Sequence, residues 1–149
     1  MKKTLKKVLF FTDGISESHL ETLKILCEPG DYYFTNKDNY LAFKFYLTTE
    51  LKCIETTNVD VICIDYGLLH SGTMVTNRYI PELKRAIKIL EKAYCSGIRL
   101  AWVGGMAHRN NKDAKGLFPE HEFLHNLPWA YMHHESILNL LYRVLKEKS

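Results

Sequence analysis

The sequence has no C-x-x-C pair, no glycine-rich phosphate fingerprint and no long apolar run. Its four cysteines, Cys27, Cys53, Cys63 and Cys95, stand far apart. That spacing argues against both a zinc finger and a disulfide framework. Cys63 falls within an apolar run, where a free cysteine packs as a small hydrophobe. These features predict a reduced, cytoplasmic protein. Neither G-x-G-x-x-G nor G-x-x-x-x-G-K-(S/T) occurs, so the nucleotide-binding fingerprints are missing. A membrane span needs about twenty consecutive apolar residues, and no run comes near that, which predicts no membrane contact. Met1-Lys2-Lys3 resembles the start of a signal peptide. The apolar run after it, Val8-Leu9-Phe10-Phe11, meets Thr12-Asp13 too soon to serve as the signal's core. Internal repeats, linkers and low-complexity segments are likewise missing.

What is present is a single domain's worth of ordinary globular sequence. The 149 residues fit one domain, 1–149. A chain of that size removes roughly two thirds of its unfolded surface from water. Hydrophobic content is 46% and charged content 25%, both usual for a packed core. The net charge of +3 comes partly from the ends, through Lys2, Lys3, Lys6 and Lys7 at one and Arg143, Lys146 and Lys148 at the other. So mild a charge argues against nucleic acid as the partner and for solvated termini.

Four apolar runs each end in a polar or glycine cluster. Val8 to Phe11 meets Thr12-Asp13-Gly14, and Val61 to Ile64 meets Asp65-Tyr66-Gly67. Leu100 to Val103 meets Gly104-Gly105, and Trp129 to Met132 meets His133-His134. Such runs read as strands buried on both faces. Between them lie segments of helical period. Ser18 and Glu21 form a capping-box pattern before Leu20, Leu23, Ile25 and Leu26, and Pro29-Gly30 stops that helix. Asp31 to Thr35 reads as a short edge strand. Leu41, Phe45, Leu51 and Ile54 then give an apolar stripe that predicts a helix capped by Asp38 or Asn39 and ended by Asn58. Pro81 opens a helix carrying Leu83, Ile87, Leu90 and Tyr94, which Ser96-Gly97 ends. Phe118 to Leu124 predicts a short helix, and Ser136 to Lys146 a final one with Ile137, Leu140, Leu141 and Val144 inward.

This alternation predicts a three-layer α/β fold with an open, parallel, five-stranded sheet. Right-handed crossovers give the strand order 2-1-3-4-5, the flavodoxin-like arrangement. Its switch point lies between the first and third strands. Asp13 and Asp65 end those strands, so they are expected to share one acidic pocket. Two carboxylates there suit magnesium, which takes oxygen ligands. They serve equally well as loop caps, since aspartate bonds readily to nearby backbone amides.

On these residues the chain resembles the receiver (CheY-like) domain of bacterial response regulators. Val59-Asp60-Val61-Ile62-Cys63-Ile64-Asp65 looks like the family's third strand, which would make Asp65 the phosphoacceptor position. Phe10-Phe11-Thr12-Asp13 looks like the end of the first strand, where the family usually carries two adjacent acids. Here Thr12 stands in one of those places. The family's fourth strand ends in Thr or Ser, matched by Gly104. Its fifth ends in Lys-Pro, and His133-His134 occupy that region. Histidine supplies a cation only when protonated. The resemblance therefore implies a receiver degenerate at its phosphorylation site and kept as a signalling or protein-binding module. The family's partner face is built from its fourth helix, fifth strand and fifth helix, which implies a protein partner, or a second copy of the chain, at region 118–145.

Other patterns compete. His121-Glu122-Phe123-Leu124-His125 matches H-E-x-x-H, in which two histidines on one helical face bind zinc and the glutamate activates water. The predicted helix there is short, and the α/β pattern before it is foreign to zinc proteases. Gly104-Gly105 with Arg109 suits either an anion-holding turn or a plain turn after a strand. The same crevice thus supports a second reading, a small enzyme or ligand-binding protein. In it Asp13 and Asp65 hold metal or polarise substrate, while Arg109 with His133 or His134 holds an anion. Ser71 and Thr73 lack an evident base and argue little for a nucleophile.

Overall fold

A computed structural model of the chain describes residues 3–11, 17–27, 31–36, 39–48, 58–65, 79–104 and 120–146. Its elements are β1 (Lys3–Phe11), α1 (Glu17–Cys27), β2 (Asp31–Asn36), β3 (Asn39–Thr48) and β4 (Val61–Asp65). There follow α2 (Tyr79–Cys95), β5 (Arg99–Gly104), a 3-10 turn (Glu122–Leu124), β6 (Trp129–Tyr131) and α3 (His134–Lys146).

The strands form one six-stranded sheet in the order β2-β3-β1-β4-β5-β6. Five of them, β3, β1, β4, β5 and β6, run parallel to their neighbours. Counted along the chain, those five take the order 2-1-3-4-5, the expected flavodoxin-like fold. The sixth, β2, lies at the edge as expected, but it runs antiparallel and pairs with β3.

One element differs in kind. The helix expected from Asn39 onward is the strand β3 through Thr48; the rest of that expected helix lies outside the described residues. Leu41 and Phe45 share a face whether the chain is helical or extended, because a spacing of four nearly completes a helical turn and is also two strand periods. The aromatics decide the outcome: Tyr40, Phe43, Phe45 and Tyr46 suit a pleated surface. Phe43 and Phe45 pack on one face with ring centres 6.0 Å apart, and Phe45 stacks on Phe10 of β1 at 5.7 Å. Asn36 pairs with Asn39, leaving only Lys37 and Asp38 between the strands. Pairing with β3 also extends β1 back to Lys3, well before the apolar run Val8–Phe11.

The central strands are apolar on both faces because both are covered. Leu9, Phe11, Ile62, Ile64, Leu100 and Trp102 pack under α2 through Ala86, Ile87, Ile89, Leu90 and Ala93. Val8, Phe10, Val61, Cys63, Ala101 and Val103 pack under α1 and α3 through Leu23, Leu26, Ile137, Leu140, Leu141 and Val144. Burial in this second layer pushes the Cys63 thiol far above its ordinary range. Ile25, expected on the inner face of α1, is 53% exposed. Ser18, the expected cap, lies inside α1.

Helix α2 stops as its sequence demands. The N–H of Gly97 bonds to the Tyr94 carbonyl and that of Ile98 to the Ala93 carbonyl, both at 3.1 Å. This pattern needs a left-handed residue, and Gly97 supplies it with φ of +96°. Ser96 Oγ adds a 2.7 Å bond to the Lys92 carbonyl.

Candidate functional site

The carboxyl ends of the parallel strands form the pole where open α/β sheets hold ligands. The described groups there are Phe11 of β1, Asp65 of β4, Gly104 of β5 and the segment after β6. Strands β1 and β4 are adjacent and parallel, with Phe11 opposite Ile64. Thr12, Asp13 and Arg109 lie outside the described residues, and so do Ser71, Thr73 and Gly105.

Asp65 closes β4 opposite Val103 of β5. Alternation along the strand aligns it with Val61 and Cys63, on the side of α1 and α3. It is 3% exposed and the one buried charged side chain among the described residues. A carboxylate this deep demands compensation within the fold, and Asp65 does make an interaction there.

The neighbouring strand ends offer other chemistry. Gly104 gives its carbonyl to the Met132 N–H at 2.9 Å, so it serves the backbone and brings no hydroxyl. After β6 the chain turns tightly, the His133 N–H bonding back to the Tyr131 carbonyl at 2.7 Å. The His133 carbonyl then accepts from Ile137 at 3.0 Å, the first bond of α3. His133 is exposed and His134 half-buried, and their rings lie 4.5 Å apart and tilted 33°. Strand β6 is two strands from β4, about 10 Å across the sheet. Thr22 of α1 also reaches this corner, its hydroxyl donating to the Met132 carbonyl at 3.4 Å.

The H-E-x-x-H segment takes another form than the expected helix. Only Glu122–Leu124 are helical, as one 3-10 turn, and His121 sits outside it at φ −124°, ψ 76°. Its ring meets Phe123 edge-on at 6.2 Å. The α-helical face that would align His121 with His125 for zinc does not form. The physical reason is the docking of Leu124. It is fully buried under β5, and the Trp102 indole N–H holds its carbonyl at 3.1 Å. Trp102 also donates its backbone N–H to the Pro128 carbonyl at 2.8 Å. Among the described residues no group of three His, Cys, Asp or Glu side chains is placed to hold a metal ion.

Two ties escaped sequence reasoning, those from Trp102 to Leu124 and from Arg99 to Val144. Arg99 Nη1 donates to the Val144 carbonyl in the last turns of α3 at 2.7 Å. No local spacing marks a pair 45 residues apart. The faint signal is a basic residue opening a strand beside an unpaired helix end.

The described residues thus define a flavodoxin-like α/β protein with one sealed carboxylate at its ligand pole. No protein-family model matches the sequence, and no curated protein matches it. Among solved structures, the chain is similar to the response regulator LqsR of Legionella pneumophila, with a TM-score of 0.50 and 11% identity. The match covers 97% of this chain and 44% of that one, so the chain spans less than half the regulator's length. At such low identity the likeness is one of fold. Among the described helices none is long and apolar enough to cross a membrane.

Proposed function

We propose that the chain is an atypical receiver-like module, acting in signalling by binding protein and working without conventional aspartyl phosphorylation. The observation that carries this reading is the sealing of Asp65, 3% exposed at the end of β4. A phosphoryl donor must reach a carboxylate oxygen in line, and a carboxylate this deep offers almost no approach. The surroundings agree. Gly104 stands where the family has a hydroxyl, and His133-His134 stand where it has Lys-Pro. By resemblance, Asp13 and magnesium would be remnants of the family's phosphorylation chemistry.

The partner face we assign is region 118–145, whose described part comprises the 3-10 turn, β6 and α3. Strand β6 is the outer strand of the sheet on that side. Its Trp129 and Tyr131 are half-buried and meet edge-to-face at 4.9 Å. The buried Nε1 of Trp129 has no hydrogen-bond partner. Half-exposed aromatic rings are favoured at protein interfaces. The occupant is a partner protein or a second copy of the chain, and the mass in solution separates the two.

Beryllofluoride with magnesium mimics the phosphorylated aspartate and tests the reading. Amide resonances at Asp65, Gly104 and His133 are expected to stay in place during the titration. Saturable shifts at Asp65 that vanish in Asp65→Asn would overturn it.

A further inference from the structure

A groove of about 370 Å³ opens at the opposite pole, beside the amino ends of β5 and β6. Tyr94, Ile98, Arg99, Asn126, Leu127 and Pro128 are among its lining residues. It lies next to the carboxyl ends of α2 and α3, well away from Asp65. Its volume is within the range of small-ligand sites, roughly 300–1,000 Å³.

Its chemistry is specific. Arg99 is half-buried, and its guanidinium is fixed by the 2.7 Å bond from Nη1 to the Val144 carbonyl. Among the described residues, the fork's other N–H donors take no further partner. Among the described residues no carboxylate pairs with Arg99. A half-buried cation with its orientation already set is prepared for a planar anion, which it holds through two parallel bonds. Asn126 is exposed at the groove and adds a neutral donor. Tyr94 is 46% exposed, with its ring held against Phe123 at 5.7 Å. That gives a flat wall beside the apolar Ile98, Leu127 and Pro128.

Arg99 sets the sign of the ligand's charge, and the helix ends limit its size. The last carbonyls of α2 and α3 point toward this pole and carry partial negative charge. One guanidinium against those carbonyls suits a monoanion and disfavours a phosphate dianion. We propose that this groove binds a small monocarboxylate with a flat apolar body, its carboxylate on Arg99 and its ring against Tyr94. The inference is independent of the receiver-like reading, because it concerns the other end of the sheet.

The test is an amide-shift titration of the full chain with phenylacetate, compared with phenyl phosphate and the neutral benzyl alcohol. Phenylacetate is expected to give saturable shifts at Gly97, Leu100 and the Asn126 side-chain amide, with Asp65 and Gly104 unmoved. Arg99→Lys keeps the charge but loses the fork, and is expected to weaken binding about tenfold. Tyr94→Ala changes an exposed side chain and is expected to weaken it several-fold, which keeps the test open should the arginine variant unfold. The proposal is overturned if phenylacetate gives no saturable shift, or if either variant binds it as tightly as the parent. It is equally overturned if benzyl alcohol or phenyl phosphate binds at least as well as phenylacetate.

Discussion

The two poles of the sheet handle charge in opposite ways. At the carboxyl pole Asp65, the one buried charge among the described residues, is sealed at 3% exposure. At the amino pole the half-buried Arg99 faces an open groove. Open α/β sheets usually gather ligand chemistry at the carboxyl pole. Here the described carboxylate of that pole is closed off from solvent, while Arg99 lines an open groove at the other end.

Strand β5 joins the poles, with Arg99 at one end and Gly104 at the other. Trp102, between them, is fully buried and bonded to the Leu124 carbonyl. Trp102→Ala is therefore the most disruptive single change, expected to cost about 3–5 kcal/mol of stability in chemical denaturation. A loss below about 1 kcal/mol would mean that the tryptophan does not pin the 120s segment.

Arg99→Gln separates support from binding at the open pole. It removes a charged hydrogen bond to the end of α3. Since Arg99 is part exposed, the expected loss is only about 1 kcal/mol. Hydrogen exchange is expected to quicken in the last turn of α3 and to stay unchanged in α1. Quickening spread evenly over both helices would contradict a local tie.

At the sealed pole, Asp65→Asn retains the shape and removes the charge. Stability is expected to stay within about 1 kcal/mol of the parent, and on the proposed reading any protein that the parent captures in a pull-down is captured by the variant too. Loss of partner binding in a folded variant would assign the carboxylate a direct signalling role.

The smallest effect concerns the thiols and leaves stability untouched. Cys95 is exposed and Cys63 buried. The thiolate is the reactive form, and burial holds Cys63 protonated. Iodoacetamide is expected to label Cys95 readily and Cys63 only after denaturant is added, as read by peptide mass. Equal labelling in the native protein would mean that the core opens readily.

Much of the fold was legible in the sequence, and the gaps have physical causes. The apolar runs at Val8–Phe11, Val61–Ile64 and Leu100–Val103 read as buried strands because a strand covered on both faces cannot alternate. Pro81, Ser96 and Gly97 marked the limits of α2 through local backbone chemistry. Strand β3 escaped because the spacing of Leu41 and Phe45 fits both periods, and only pairing with β1 and β2 decides between them. The 3-10 form of the H-E-x-x-H segment escaped because Leu124 docks through the tertiary bond from Trp102, which lies outside the local stretch around residue 121. The position of Asp65 followed from strand order, but its sealing did not, because burial depends on packing from remote parts of the chain. The amino-pole groove left no local trace, since Tyr94, Arg99, Asn126 and Val144 meet only in the folded chain.

The central claim is that Asp65 is a closed structural carboxylate and not a phosphoacceptor. Incubation with acetyl phosphate and magnesium, read by intact mass, tests it most directly. An unchanged mass is expected under conditions that label a competent receiver domain. A phosphoryl increment on the parent chain that is lost in Asp65→Asn would contradict it.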